Sequence, residues 1–351
     1  MPTLALYDSP AHFDAWHRVC SPGGYEWWHF DVVDQSAEIQ AVVKFFEGFV
    51  FHSEYLRRWS RYQRNPTRHA PPLPREYPCV YAAVYEKGRL LAQSMTQYPA
   101  AEFSASVDRP KVKIGPNAME LNDGGAYRLR TDAVPWELTW QGPKLLDDER
   151  LLLELEFQPS GRGLPEREFF SRRLAGADHR WIIAAPRCGV TGTIHFAGRD
   201  VRIAGSGYHD HNFGTGPVGP GLHRWIWGRM LLEDCAVTFQ YARARDRSLP
   251  DEVHLIEANG ANAVEVPVQK VTADWSGRSR EWLNFPRMFA LDDLLTMQNP
   301  RIVDSSPFCM RLIYDARWRG NTGASFCEIA YPHRLRWPVL GRMIGMSINK
   351  T

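Results

Sequence analysis

The stretch G-S-G-Y-H-D-H-N-F-G, from Gly205 to Gly214, sets a phenol, a carboxylate, two imidazoles and an amide between glycines. A metal site, an acid–base site and a polar turn would each explain such a run. If Gly207–Phe213 is extended, successive side chains point to opposite faces. Tyr208, Asp210 and Asn212 then share one face, and His209, His211 and Phe213 share the other.

The histidine face reads H-x-H. Two imidazoles two residues apart on a strand can hold one metal ion, but a metal centre needs at least one more ligand and a second shell. His195, His223, His254 and Glu26 are available, and no spacing selects among them. No metal is therefore expected, and the imidazoles read as hydrogen-bonded or exposed structural groups. The Tyr–Asp–Asn face offers other chemistry. A carboxyl group buried among rings is penalised in its charged form, so it can hold a proton at neutral pH and deliver it. A phenol and an amide beside it can orient it or position a water. The bland alternative is a cluster that caps a strand end or ties down a loop.

Tryptophans surround this face in the sequence. R-W-I-W-G-R puts Trp225, Trp227 and Arg229 on one strand face, and H-R-W-I-I-A-A-P-R pairs His179 with Trp181. Near the N-terminus, G-G-Y-E-W-W-H-F-D (Gly23–Asp31) adds two more, Trp28 among them. Indole faces stabilise cations, by about 2 kcal/mol when water is excluded. A proton donor walled by indoles suggests one reaction class: the acid protonates a C=C bond, the rings shelter the carbocation, and a nucleophile captures it. Plain β-core accounts for some of these tryptophans.

Such side chains need strands to hold them, and period-2 alternation dominates the chain. In E-R-L-L-L-E-L-E-F-Q, Leu151, Leu153, Leu155 and Phe157 fall on one face, and Arg150, Glu154, Glu156 and Gln158 on the other. V-T-G-T-I-H-F and V-R-I-A-G read as a hairpin turning at Gly198-Arg199-Asp200. Further strands are expected at Glu38–Phe46, Val80–Tyr85, Lys111–Ile114, Tyr127–Arg130, Trp136–Trp140, Ala236–Ala242 and Glu252–Glu257. Only Ala11–Arg18 and Leu291–Met297 suggest short helices. The pattern predicts an all-β fold of barrels or sandwiches with few short helices. The polar stretch Gln158–Gly176 reads as a linker between two domains, 1–175 and 176–351. Arg57–Pro78, rich in proline and arginine, reads as a long loop, a lid or a surface insertion.

Composition sets the outer bounds. The chain has 351 residues, a formal charge of +2 and six scattered cysteines without C-x-x-C. Nothing draws it to nucleic acid, and neither a zinc ribbon nor a disulfide framework is expected. Mean hydropathy is −0.39 and no apolar run is long enough to span a bilayer. The first residues, M-P-T-L-A-L-Y-D-S-P, lack a signal-peptide pattern, so a cytoplasmic location is expected.

Four blocks in order, Y-E-W-W-x-F-D, H-x-W-x-x-x-A-P-R, G-x-G-Y-x-D-x-N-x-G and W-x-W-G-R, run from Gly23 to Arg229. This set resembles the carotenoid 1,2-hydratase (hydroxyneurosporene synthase) family and its lipocalin-like relatives. The resemblance implies two lipocalin-like (calycin) β-barrel or sandwich domains, and hydration of a terminal isoprenoid double bond with no cofactor. It also implies a site of His179, Trp181, Tyr208 and Asp210, with Asp210 as the proton donor. His209 and His211, beside the acid, match the wider group, which includes hydratases of prenylated phenols and enzymes promoting cyclisations or cycloadditions.

The expected activity is acid-catalysed addition of water, or of an internal nucleophile, to a C=C bond of a hydrophobic isoprenoid or polyene. Water would be held by His179 or Tyr208. Trp28, Trp225, Trp227, His209, His211 and Asn212 are expected to contact the substrate. The alternatives are a pericyclase that positions a polyene for cycloaddition, and a carrier that binds an apolar ligand and releases it unchanged. Peripheral contact with a membrane would suit either use of the fold.

Overall fold

The computed structural model describes residues 13–139, 142–146, 148–170, 178–218, 221–260, 262–337 and 348–350. Among the described residues nearly all regular structure is strand, in two large sheets and one two-stranded ribbon. The first sheet has 15 strands and the second has nine. Neighbours pair antiparallel, except Asn349–Lys350, which lies parallel to Arg89–Gln97.

Three strands of the first sheet matter most for the site. Tyr25–Asp34 lies between Ile39–Glu47 on one side and Arg199–Gly214 on the other. Arg199–Gly214 is the return strand of a long hairpin that begins with His179–Phe196. In the second sheet, Leu222–Leu231 lies between Cys235–Ala244 and Asn321–Ala330. The change of sheet thus falls between Gly214 and Leu222. The first strands after residue 175 still belong to the first sheet, because the hairpin His179–Gly214 pairs with Leu151–Pro159 and Tyr25–Asp34.

Alternation sorts the side chains into three buried clusters. One is built only from the first sheet, around Trp28, Phe30, Phe45, Tyr127, Leu153 and Phe157. Leu151, Leu153, Leu155 and Phe157 all join it, each contributing roughly 1.5–3 kcal/mol by leaving water. A second belongs to the second sheet, around Phe239, Phe289, Leu312 and Trp318. The third is shared: Tyr25, Trp27, Tyr81, Trp181 and Tyr208 of the first sheet meet Trp225, Trp227 and Phe326 of the second.

Local expectations meet several corrections. The hairpin turn is Ala197-Gly198, with φ of 51° and 70°, and Phe196 pairs with Arg199. Two successive left-handed residues give the tight turn whose twist suits a hairpin. Leu291–Met297 is no helix. It is a second hairpin, in which Leu291 pairs with Leu295 and Asp292 takes φ 48°. Its helix-like spacing comes from leucines on either side of the turn, and Asp292 anchors the turn by accepting from the Gln269 and Lys270 amides. Of Ala11–Arg18, Phe13 is helical, Asp14–Arg18 is not, and residues 11 and 12 lie outside the described residues. The first part of the expected loop Arg57–Pro78, up to Arg64, is helix: Ser53–Arg64, capped by His52 Nδ1, which accepts from the Glu54 and Tyr55 amides at 3.1 and 3.4 Å. Only Tyr55 of this helix is buried, but Tyr55, Leu56, Trp59 and Tyr62 stand at helical spacing, a signal that the surrounding arginines and prolines obscured. In the expected linker 158–176, Leu164–Phe170 is a strand and residues 171–176 lie outside the described residues.

Candidate active site

Gly207–Phe213 is extended, as the site requires, and the two faces separate as alternation dictates. Tyr208, Asp210 and Asn212 face the shared cluster between the sheets. Asp210 is buried, 2% exposed, and three side chains donate to it. Trp181 Nε1 and the Tyr208 hydroxyl reach Oδ2 at 3.0 and 2.9 Å, and Asn212 Nδ2 reaches Oδ1 at 2.8 Å. All three donors are uncharged.

A second layer fixes these donors. His179, buried, is hydrogen-bonded to Asn212, and its Nδ1 lies 2.5 Å from the Tyr25 hydroxyl. Burial pushes His179 down to about 3, against the pull of its Asn212 bond, so it is a neutral imidazole at pH 7. Burial also raises Tyr25 well above the usual phenol range, so its hydroxyl keeps its proton and donates. The network therefore assigns Nδ1 as the bare nitrogen and the ring N–H as donor to the Asn212 oxygen. That leaves the Asn212 amide for Asp210. Tyr25 also stacks on Trp27 at 5.0 Å, and Trp27 lies 5.6 Å from the His179 ring.

The second sheet supplies the facing wall. Trp227 lies 5.3 Å from Tyr208 and 4.8 Å from His29, and Trp225 lies 6.4 Å from His179. Below them, Arg229 of the second sheet donates to Asp31 of the first, with Nε at 2.6 Å. Burial would push Asp31 up, but Arg229 and His29 together hold it below the usual carboxylate range. This pair ties the two walls together beside the acid.

His179, Trp181, Tyr208, Asp210, Asn212, Trp225 and Trp227 are thus brought together. Three expected contact residues are not. His209 and His211 turn into the interior of the first sheet, because each is one residue out of phase with Asp210. His209 Nε2 lies 2.9 Å from Asp14 Oδ2, and its ring stacks on Phe30. Trp28 fails for the same reason: it stacks on His211 at 4.4 Å, whereas its neighbour Trp27 faces the site. Sequence reasoning missed Tyr25, Trp27 and His29. The same alternation would have found them, since Tyr25, Trp27, His29 and Asp31 share one face of Y-E-W-W-H-F-D.

Comparison with known proteins gives this geometry a context. A sequence model of the family described as carotenoid hydratase CrtC matches residues 43–351. The chain belongs to that family. It is 25% identical over 323 residues to a hydroxyneurosporene dehydrogenase of Chlorobaculum tepidum, covering 85% of this chain and 78% of that protein. It is 26% identical over 228 residues to an acyclic carotenoid 1,2-hydratase of Thiocapsa roseopersicina, covering 63% of this chain and 48% of that protein. The match thus spans about half the length of that relative. Among solved structures, an AttH-type protein of Nitrosomonas europaea superposes with a TM-score of 0.62 at 15% identity, over 91% of this chain and 95% of that one. That likeness speaks for the all-β, lipocalin-like fold alone. Family membership supports a hydratase-like enzyme. Among the described residues, no helix is long and apolar enough to cross a membrane.

Proposed function

We propose that this protein adds water to a terminal C=C bond of an acyclic, carotenoid-like isoprenoid by acid catalysis, without a redox change. The observation that carries the reading is the setting of Asp210: a carboxyl group 2% exposed, held by three uncharged donors and facing an indole wall. In the acid form, Asp210 gives its proton to the less substituted alkene carbon. The positive charge develops on the tertiary carbon, where the faces of Trp225 and Trp227 lower its energy. Water adds there, and its surplus proton passes to the carboxylate just created, so the acid is restored and atoms and charge balance. Tyr208 and Trp181 fix the carboxyl plane. His179 acts through Asn212, holding its amide toward Oδ1.

A substrate of this kind dissolves in lipid, and the helix Ser53–Arg64 offers a surface for collecting it. Arg57, Arg61 and Arg64 on the helix, with Arg68 and Arg75 beyond it, are exposed, and a cleft there is lined by Glu54, Arg57, Arg58, Arg61, His69 and Ala70. Such a basic surface suits peripheral contact with an anionic membrane.

The test is turnover of an acyclic carotenoid in D2O by the wild type and by Asp210→Asn. The wild type should yield a tertiary alcohol carrying one new C–D bond. The variant keeps the shape but has no acid proton, and should lose about 10²- to 10⁴-fold in kcat. Wild-type turnover by the variant would refute the mechanism. A ring product without deuterium would point to a pericyclase, and ligand returned unchanged to a carrier.

A further inference from the structure

Behind the strand that carries Asp210 lies a second polar cluster that the reaction does not use. Glu26 and Glu47 are directly opposite each other on paired strands, and both are buried. Two imidazoles converge on the same point. His17 Nδ1 lies 3.0 Å and His211 Nε2 2.9 Å from Glu26 Oε1, and the three ligand atoms all fall within 4.8 Å of one another. The second oxygen, Glu26 Oε2, is buried without a hydrogen-bond partner.

We propose that His17, Glu26 and His211 form a binding site for a zinc-class divalent cation, with a fourth position open to water. The donor set is two imidazoles and one carboxylate, which zinc and its neighbours in the first transition row accept. The outer layer is also in place. Asp14 Oδ1 lies 3.2 Å from His211 Nδ1, where a carboxylate orients a ligating imidazole, and the Asp14 Oδ2 atom accepts from the Tyr127 hydroxyl at 2.9 Å. His17 stacks on Phe213 at 3.9 Å, and its side chain is 24% exposed, so the site has an edge through which an ion can enter. The ion would join the segment before Tyr25–Asp34 to Arg199–Gly214. Its role is to hold the strand on whose opposite face Asp210 sits, and it takes no part in the chemistry.

The test uses the full chain, stripped with EDTA and titrated with Co²⁺ and Zn²⁺. The expected result is one Co²⁺ per chain with d–d absorption of a four-coordinate site. One equivalent of Zn²⁺ should displace the cobalt and raise the melting temperature. Both His17→Ala, at the rim, and Glu26→Gln should weaken Co²⁺ binding at least 10-fold, and His17→Ala should melt like the stripped wild type. If wild type binds no stoichiometric ion, or both variants bind it undiminished, the cluster is an imidazole–carboxylate clamp and the proposal is wrong. Because the readout is ion binding, it stands apart from the hydration assay.

Discussion

Glu328 tests how the two walls of the site are held together. Its carboxylate, on the second sheet, accepts from Lys44 Nζ of the first sheet at 2.8 and 3.0 Å. Arg311, on the adjacent strand Cys309–Trp318, donates from Nε at 3.0 Å. The same guanidinium reaches back to the first sheet, to the hydroxyls of Tyr81 and Tyr85 at 2.6 and 3.0 Å. Burial alone would raise Glu328, but Lys44 and Arg311 outweigh it and hold it at about 2 instead of 4.5. A carboxyl whose folded pKa is depressed stabilises the fold above its unfolded pKa and loses that stability as pH falls through the folded value. At ~1.4 kcal/mol per pH unit, the contribution at pH 7 is about 3 kcal/mol, and about 1.4 kcal/mol of it remains at pH 3. Glu328→Gln removes the charge and leaves two cations facing each other. Unfolding entropy of ~2 cal/mol/K per residue converts 3 kcal/mol in a chain of this length to a fall in Tm of about 4 °C. Scanning calorimetry at pH 7 and pH 3 on both proteins reads it. The gap between them should shrink by more than half at pH 3. A gap of equal size at both pH values would mean that Glu328 acts by packing, and no gap at pH 7 would refute its role as an anchor.

Two further outcomes follow from the same geometry. Tyr25→Phe removes the donor to His179 Nδ1, so His179 and Asn212 lose their fixed orientation; steady-state kinetics should show kcat down about 10-fold with KM nearly unchanged, as loss of one buried hydrogen bond predicts. Replacing Arg57, Arg61, Arg64 and Arg68 with Gln removes four surface cations at ~1 kcal/mol each, so co-sedimentation with phosphatidylglycerol vesicles should weaken by about 100-fold or more, while detergent-dispersed substrate is turned over as before.

What the sequence made legible was parity. That Tyr208, Asp210 and Asn212 share a face, and that His209 and His211 do not, follows from strand geometry and needs no partner. The same rule placed Leu151, Leu153, Leu155 and Phe157 in the core. Expecting Trp28 at the site was an error of the opposite kind, since only one of two adjacent tryptophans can face it, and it is Trp27. Hidden from the sequence was register between distant segments, which is set by which strands pair and where. Asp14 and His17 reach His211 and Glu26 from a stretch with no strand pattern of its own, so H-x-H looked bare. Tyr25 and His179, 154 positions apart, are the clearest case. Both are cross-strand partners of Gly214, one from each side. A Cβ at Gly214 would lie 2.5 Å from the Tyr25 hydroxyl oxygen and 2.5 Å from the Asp178 carbonyl oxygen. The missing side chain is what lets the phenol cross the strand and reach the imidazole. The last glycine of G-S-G-Y-H-D-H-N-F-G is thus as much a part of the acid's setting as the residues that touch it.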